Sequence, residues 1–166
     1  MNAKFRDIDL NDANFILEIE NNKNIWKVSH TSVEFSKKDI EIFIAKNIVE
    51  GLSSGQKRWI ITKNNENCGC IDLFDFDEKN KRAGIGIVIH ENYQSQGIGK
   101  EALKSFISYC RNKLNLHQLY CTILSDNYNS IRLFKSNKFE ETGRRIDWTF
   151  YNNEYFDEIF YQLILK

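Results

Sequence analysis

The sequence contains no proline, so turns are left to residues such as glycine and asparagine. It also has no excess of either charge, because 23 acidic residues balance 23 basic ones. Proteins that bind nucleic acid through its phosphates usually carry a clear basic excess, so the composition argues against that class of partner. Internal repeats, linkers and low-complexity tracts are missing too.

Long apolar runs are another absence, since none approaches the length needed to cross a bilayer. The first residues lack the basic-then-apolar layout of a signal peptide, so we expect no membrane partner and a cytoplasmic location. Four cysteines show no Cys-x-x-Cys spacing, which argues against a zinc site or any other metal. We expect buried, reduced thiols, with Cys68 and Cys70 on the same face of one strand.

What is present indicates a single domain over residues 1–166, since 42% of the residues are hydrophobic. The predicted element order is β-α-α-β-β-β-α-β-α-β-β, with a loop at residues 24–31 and a helix capped by Ser36. Hairpin turns are predicted at residues 64–67 and 152–153. This order predicts an α/β fold in which helices flank both faces of a mixed, mostly antiparallel sheet.

The most informative stretch is a glycine-bearing turn at residues 94–100, which reads Gln-Ser-Gln-Gly-Ile-Gly-Lys. A predicted strand leads into it and a long amphipathic helix follows. The glycines allow another molecule close to the backbone, and the uncapped helix start offers free N–H groups and positive dipole charge. These features predict a phosphate site. The P-loop pattern does not fit, and the dinucleotide pattern would need its third glycine at Ala102.

The turn resembles the acyl-CoA pyrophosphate loop of the GNAT N-acetyltransferase family, Gln/Arg-x-x-Gly-x-Gly/Ala. Residues 126–143 are similar to the family's late motif, Asn-x-x-Ser/Ala-Ile-x-Leu-Tyr-x-x-x-Gly-Phe-x-x-x-Gly, with Phe134 and Lys138 at the usual tyrosine and glycine. The predicted element order is also that of the family. Residues 140–157 are similar to the branch that holds polyamine and ribosomal-protein N-terminal acetyltransferases.

This resemblance implies a GNAT-fold enzyme that moves an acetyl group from acetyl-CoA to a primary amine by direct attack in a ternary complex. A polyamine or another small cationic amine is the first choice of acceptor. One alternative is a protein N-terminal or antibiotic/amino-sugar N-acetyltransferase. A second is a non-catalytic acyl-CoA sensor, which only Phe134 favours. The resemblance also implies pairing into a homo-oligomer.

The resemblance implies an acetyl-CoA site made from a strand end, the glycine turn and the start of a later helix. Its residues are Ile87, Val88, Ile89, Gln94, Gln96, Gly97, Ile98, Gly99, Lys100, Asn127 and Ser130. A bulge at residues 87–89 would free backbone N–H groups for the thioester carbonyl. For Lys100 alone, an ordinary surface position is an equal alternative.

The acceptor side is expected to carry Asp72 and Asp75 for amine binding, one of them also as general base through water. Strict alternation puts Asp75 on the face of Ile71 and Leu73, and Asp72 with Phe74 and Phe76 on the other. The alternative for Asp75 is a solvated charge near a turn.

Two further groups complete the expected site. With Phe134 at the tyrosine position, the proton for the leaving thiolate would come from Tyr128, Ser130, Tyr93 or water, and Tyr128 is the catalytic choice. Trp26 and His30 are expected to line the acceptor pocket.

Overall fold

The computed structural model of the chain describes residues 2–29 and 31–166, which contain seven strands and five α-helices. The strands are β1 (Lys4–Asp7), β2 (Lys57–Lys63), β3 (Glu66–Asp77), β4 (Arg82–Ile89), β5 (Gln118–Leu124), β6 (Glu140–Tyr151) and β7 (Glu154–Ile164). The helices are α1 (Ala13–Glu20), α2 (Lys23–Ser29), α3 (Lys37–Glu50), α4 (Ile98–Asn112) and α5 (Tyr128–Ser136).

All seven strands form one sheet in the order β1-β2-β3-β4-β5-β7-β6. Neighbouring strands run antiparallel except β4 and β5, which are parallel. Helices pack on both faces of this sheet, so the predicted α/β fold with a mixed, mostly antiparallel sheet is confirmed. No helix among the described residues is long and apolar enough to cross a membrane.

Two hydrophobic clusters join the helices to the sheet. On the face covered by α4 and α5, here the α4 face, Phe106 packs edge-on against Trp59 with ring centroids 4.9 Å apart. On the opposite face, here the α1 face, Ile16 of α1 and Ile44 of α3 are buried with Ile60. Trp59 and Ile60 are consecutive in β2 and serve opposite layers because side chains alternate along a strand.

The predicted cap and turns are confirmed. The Ser36 hydroxyl accepts a hydrogen bond from the Asp39 N–H at 3.2 Å and so caps α3. Residues 64–65 and 152–153 are asparagine pairs with φ between 50° and 67°. A two-residue hairpin turn with positive φ at both positions matches the twist of the strands, and asparagine tolerates that conformation.

The loop predicted at residues 24–31 is wrong, because α2 occupies most of that segment. Helix α2 has no buried residue, so it lacks the apolar stripe from which a helix is predicted. Half-buried Ile25 packs against the α1-face cluster, and local polar contacts add to this attachment. The Asn22 side chain accepts from the Asn24 N–H at 3.0 Å, and the Trp26 indole donates to the Glu20 carbonyl at 2.9 Å.

The four cysteines are buried and unbridged, as expected. The prediction that Cys68 and Cys70 share a face is wrong, since Cys68 belongs to the α4-face cluster and Cys70 to the α1-face cluster. The β2–β3 register shifts between Ile61 and Thr62, and Cys68 has no counterpart in the pairing. One skipped residue inverts the alternation of a strand.

Candidate active site

The parallel strands β4 and β5 separate and leave a wedge in the sheet. They pair only from Arg82 opposite Gln118 to Gly84 opposite Tyr120. Beyond that point β4 continues along β3, and β5 continues along β7. Residues 85–89 and 121–124 therefore form the two sides of the wedge.

Backbone groups of β4 point into this wedge. The His90 N–H donates to the Cys68 carbonyl at 2.9 Å, so alternation directs the Val88 backbone towards β3 as well. The backbone groups of Ile87 and Ile89 then face the wedge. The predicted bulge is wrong, because the β3–β4 register is regular throughout residues 84–89. The divergence of β5 frees these groups instead.

The glycine turn is fastened to the end of β4 by its own side chains. The Gln94 amide donates to the Ile89 carbonyl at 3.0 Å, and the Gln96 amide donates to the Asn92 carbonyl at 3.0 Å. The His90 ring accepts from the Asn92 N–H at 3.3 Å. These bonds fix the shape of the turn, and a role for the two glutamines towards phosphate stays a prediction.

Helix α4 begins at the turn with an open N-terminus. Its N-cap residue Gly97 has φ 77° and provides no side-chain cap. The first N–H that bonds within the helix is that of Glu101, to the Gly97 carbonyl at 3.1 Å. The N–H groups of residues 98–100 precede that bond and can serve an anion. A Cβ placed on Gly97 would meet nothing within 4 Å, so the space above the turn is open.

Gly99 has a different environment from Gly97. A Cβ there would lie 3.4 Å from Ile89 and 3.5 Å from Leu133. Gly99 therefore lies between β4 and α5, at distances where a Cβ would make ordinary van der Waals contacts. Lys100 is exposed beside it.

Helix α5 starts at the same edge of the sheet as α4, because each follows the end of one of the two parallel strands. Asn127 caps α5 by accepting from the Ser130 N–H at 3.3 Å. Tyr128 opens the helix and is 70% exposed. Phe134 is buried and packs edge-on against Phe139 with ring centroids 5.0 Å apart, which leaves an apolar ring at the usual tyrosine position.

Asp72 lies on the α1 face but is held by Arg58. The Arg58 Nε donates to Asp72 Oδ1 at 2.6 Å and Nη2 donates to Oδ2 at 2.8 Å, while Nη1 bonds Glu20. Burial alone would lower the pKa of Arg58, but the charge and hydrogen bonds of Asp72 raise it well above its ordinary value. Both Asp72 oxygens therefore face a permanent cation.

Asp75 is not on the face that strict alternation predicts. The β3–β4 register shifts between Phe74 and Asp77, and Asp75 takes a left-handed conformation with φ 47°. Its carboxylate accepts from the Tyr120 hydroxyl at 2.8 Å. Phe76 is also on the other face from the one expected and packs against the α4-face cluster. The bulge reverses the pattern for both residues.

Asp75 and Tyr120 line a wide cleft of about 1350 Å³. Tyr120 is the last residue of β5 that pairs with β4, so the cleft meets the wedge there. Burial and the hydrogen bond to Asp75 raise the pKa of Tyr120 to about 12. The cleft is lined further by Glu158 and Phe160 of β7. Glu158 is buried and accepts from Arg145 at 2.7 Å.

Sequence reasoning missed Tyr120, Glu158 and Phe160. A signal was available in β5 and β7, where these residues alternate with buried apolar ones such as Leu119 and Ile159. Of the other expected acceptor residues, Trp26 is half-buried, and its indole donates to the carbonyl of Glu20, the residue whose side chain bonds Arg58. His30 lies outside the described residues.

Comparisons with known proteins agree with this geometry. A model of the acetyltransferase (GNAT) domain matches residues 3–140. The chain is 22% identical to the spermidine N(1)-acetyltransferase of Escherichia coli K12 over 153 residues, covering 92% of this chain and 81% of that protein.

Two solved structures share the fold. The spermidine N-acetyltransferase of Vibrio cholerae, in complex with CoA and spermine, superposes with TM-score 0.90 at 22% identity and covers 99% of this chain and 96% of its own. The ribosomal L7/L12 alpha-N-protein acetyltransferase RimL with coenzyme A gives TM-score 0.85 at 20% identity, covering 99% and 95%. With the wedge, the open start of α4 and the domain match over residues 3–140, this chain belongs to the GNAT acetyltransferase family.

Proposed function

We propose that this acetyl-CoA-dependent N-acetyltransferase acts on a polyamine. A bond forms between an amine nitrogen and the acetyl carbon, the carbon–sulfur bond breaks, and the departing thiolate takes up a proton. Holding both substrates in one complex supplies a large part of the rate, up to roughly 7–11 kcal/mol in favourable cases. No protein nucleophile is needed.

The cofactor side of the proposal rests on the wedge and the start of α4. The N–H groups of residues 98–100 and the open space over Gly97 suit the diphosphate of acetyl-CoA. The backbone groups of Ile87 and the N–H of Ile89 suit the amide-bearing arm that leads to the thioester, while the Ile89 carbonyl already accepts from Gln94. Acetyl-CoA supplies an acyl group that an amine can attack. Asn127 and Ser130 border this region at the start of α5.

The single observation that carries the acceptor assignment is an aromatic cleft that opens onto the wedge and whose lining has four carboxylates against three cations. Asp75 stands at its wall with an exposed carboxylate whose hydrogen-bond partner is a neutral phenol rather than a cation. Phe74 and Phe160 line the same cleft with aromatic rings, and the Phe160 ring already holds the Arg145 guanidinium 4.5 Å from its centroid, which shows that a cation fits there. A flexible chain with several ammonium groups fits such a surface, and the spermidine acetyltransferases among the relatives support this choice.

The two predicted carboxylates take different parts in this proposal. Asp75 binds the acceptor ammonium and accepts its proton through water. Asp72 keeps Arg58 in place, since both of its oxygens already accept hydrogen bonds. Tyr128 donates the proton to the thiolate. Tyr128→Phe should then lower kcat by about 100-fold, whereas Tyr155→Phe, another exposed tyrosine, should not. An unchanged kcat in Tyr128→Phe would assign that proton to water.

The deciding experiment measures CoA thiol release from acetyl-CoA across a panel of amines. The panel holds spermidine, spermine, putrescine, an aminoglycoside, an amino sugar and a short peptide with a free N-terminus. We expect the highest kcat/KM with a polyamine. Release with the peptide alone would favour a protein N-terminal acetyltransferase, which the open cleft and the similarity to RimL also allow. Acetyl-CoA binding without release for any amine would favour the sensor.

We also propose that the enzyme forms a homo-oligomer through β6, the edge strand of the sheet. Ile146, Trp148 and Phe150 on this strand are each more than half exposed, which is unusual for an edge left in water. Light scattering should give a mass that is a multiple of the chain mass, and a monomer at micromolar concentration would contradict the idea. The cytoplasmic location stays a prediction.

A further inference from the structure

The ammonium group of Lys27, in α2, occupies a cation-binding site next to Asp126 and Phe156. Its ammonium lies 2.5 Å from Asp126 Oδ2 and 3.2 Å from the centroid of the Phe156 ring, with the Tyr151 ring at 5.7 Å. The Lys27 side chain is only 17% exposed. A carboxylate and an aromatic face together form a recognition site for an ammonium group.

The position of this site ties it to the wedge and the cleft. Asp126 directly precedes Asn127, the cap of α5, and follows β5 at the wedge. Phe156, Glu158 and Phe160 are alternate residues of β7, so their side chains lie on the same face of the sheet. This is the face that carries the cleft. A ligand lying along β7 on this face would reach both places.

The same arrangement recurs further along β7. Arg145 bonds Glu158 and lies 4.5 Å from the centroid of the Phe160 ring. The two rings are four residues apart, which is roughly 13 Å along a strand. This face therefore carries two carboxylate–aromatic cation sites at a spacing that a polyamine chain can bridge.

The helix that brings Lys27 to its site is lightly attached. Within the described residues α2 has no buried side chain. Besides the Lys27 contacts, α2 is held by packing of the half-buried Ile25 against the α1-face cluster, by the Trp26 indole bond to Glu20 and by an exposed ion pair of Lys23 with Glu34 at 3.5 Å. Exposed pairs of this kind add little stability. A substrate ammonium that competes with Lys27 therefore faces a modest barrier.

We propose that Asp126 and Phe156 form an ammonium-binding subsite for a polyamine, and that Lys27 competes with the substrate for it. The inference rests on the proposed function for the identity of the ligand, and it extends that function by locating one end of the acceptor. Displacement of Lys27 breaks its contacts with Asp126 and Phe156 as the substrate binds.

The test is spermidine binding, measured by calorimetry on the wild-type chain and on Lys27→Met, which keeps the length of the side chain but removes its charge. We expect Lys27→Met to bind spermidine roughly five- to tenfold more tightly, because the tethered competitor is gone. Butylamine, with one ammonium group, should gain less than twofold. Lys23→Met is the matched control, since Lys23 lies in the same helix but pairs with Glu34.

A second variant tests the subsite itself. Adding Asp126→Asn to Lys27→Met should remove the whole gain in spermidine affinity. Equal or weaker binding by Lys27→Met, or no loss on adding Asp126→Asn, would overturn the proposal. Because binding is the readout, this result is separate from the amine panel. A chain that binds spermidine but releases no thiol with any polyamine would overturn the proposed function alone.

Discussion

Asp72 and Asp75 are three residues apart on β3, yet their carboxylates have partners of different charge. Asp72 accepts two hydrogen bonds from a guanidinium, while Asp75 accepts one from a phenol. An anion beside a permanent cation is already neutralised, whereas one beside a neutral hydroxyl still attracts a substrate ammonium. The two carboxylates therefore differ in the negative charge that each can offer to a ligand.

The first prediction concerns Asp75→Asn. The amide keeps an oxygen for the Tyr120 hydroxyl but loses the charge, so we expect KM for a polyamine to rise roughly tenfold with little change in stability. Steady-state kinetics and thermal unfolding measure both effects. Asp77→Asn is the control, because Asp77 lines the same cleft but pairs with Arg82 at 3.2 Å. Equal KM values for the two variants would remove Asp75 from the acceptor site.

The second prediction concerns Gly97→Glu at the start of α4. The new carboxylate would stand where the diphosphate of CoA is proposed to bind, so we expect CoA affinity to fall by more than about 100-fold. Calorimetry with CoA measures the change.

Gly55→Glu is the matched control for this variant. Gly55 also has a positive φ, 86°, and open space around its Cβ position. Both variants therefore share the backbone strain, and only Gly97→Glu should lose CoA. Unchanged affinity in Gly97→Glu would reject the position of the phosphate site.

At the scale of elements, Arg58 joins α1 to the sheet. Its guanidinium contacts Glu20 at the end of α1 and Asp72 in β3, and its side chain is only 16% exposed. Removing one member of a buried charge cluster leaves the others uncompensated, which costs more than the cluster itself contributes.

We therefore predict that Arg58→Met lowers the free energy of unfolding by about 3–5 kcal/mol. The triple variant with Glu20→Met and Asp72→Met should recover most of this loss, since no isolated charge remains. Urea unfolding of the three proteins measures the effect. A triple variant less stable than Arg58→Met would mean that the cluster, rather than its imbalance, stabilises the fold.

At the scale of the whole molecule, buried thiols make the fold sensitive to alkali. Burial raises the pKa of Cys70, Cys110 and Cys121 to about 12 in each case, from 9.0. Between these values the unfolded chain has released protons that the folded chain retains. The stability that the buried, neutral thiols contribute is therefore fully present below pH 9 and decreases as the pH rises towards 12.

The corresponding prediction uses Cys110→Ala, measured by urea unfolding in a reducing buffer between pH 8 and 11. The wild-type free energy of unfolding should fall steadily above pH 9. In the variant the slope should be shallower by about 1.4 kcal/mol per pH unit, the value for one proton. Parallel curves for the two proteins would show that Cys110 has the same pKa in the folded and the unfolded chain.

The order of the elements, the Ser36 cap, the asparagine turns and the glycine turn with its open helix start could all be predicted from the sequence. Each depends on residues within a few positions of one another, where backbone preference and capping act. Helix α2 was not predicted because none of its residues is fully buried, so its sequence has no clear apolar period.

Three features depended on the tertiary structure: the sheet face on which Cys68 and Asp75 lie, the wedge between β4 and β5, and the ion pair of Asp72 with Arg58. A bulge skips one residue and inverts a strand's alternation, and its position depends on the register with a distant partner strand. Parallel strands likewise separate where their other neighbours draw them apart. The sequence alone determined the elements and the family resemblance, whereas pairing between distant segments determined which side chains meet at the site.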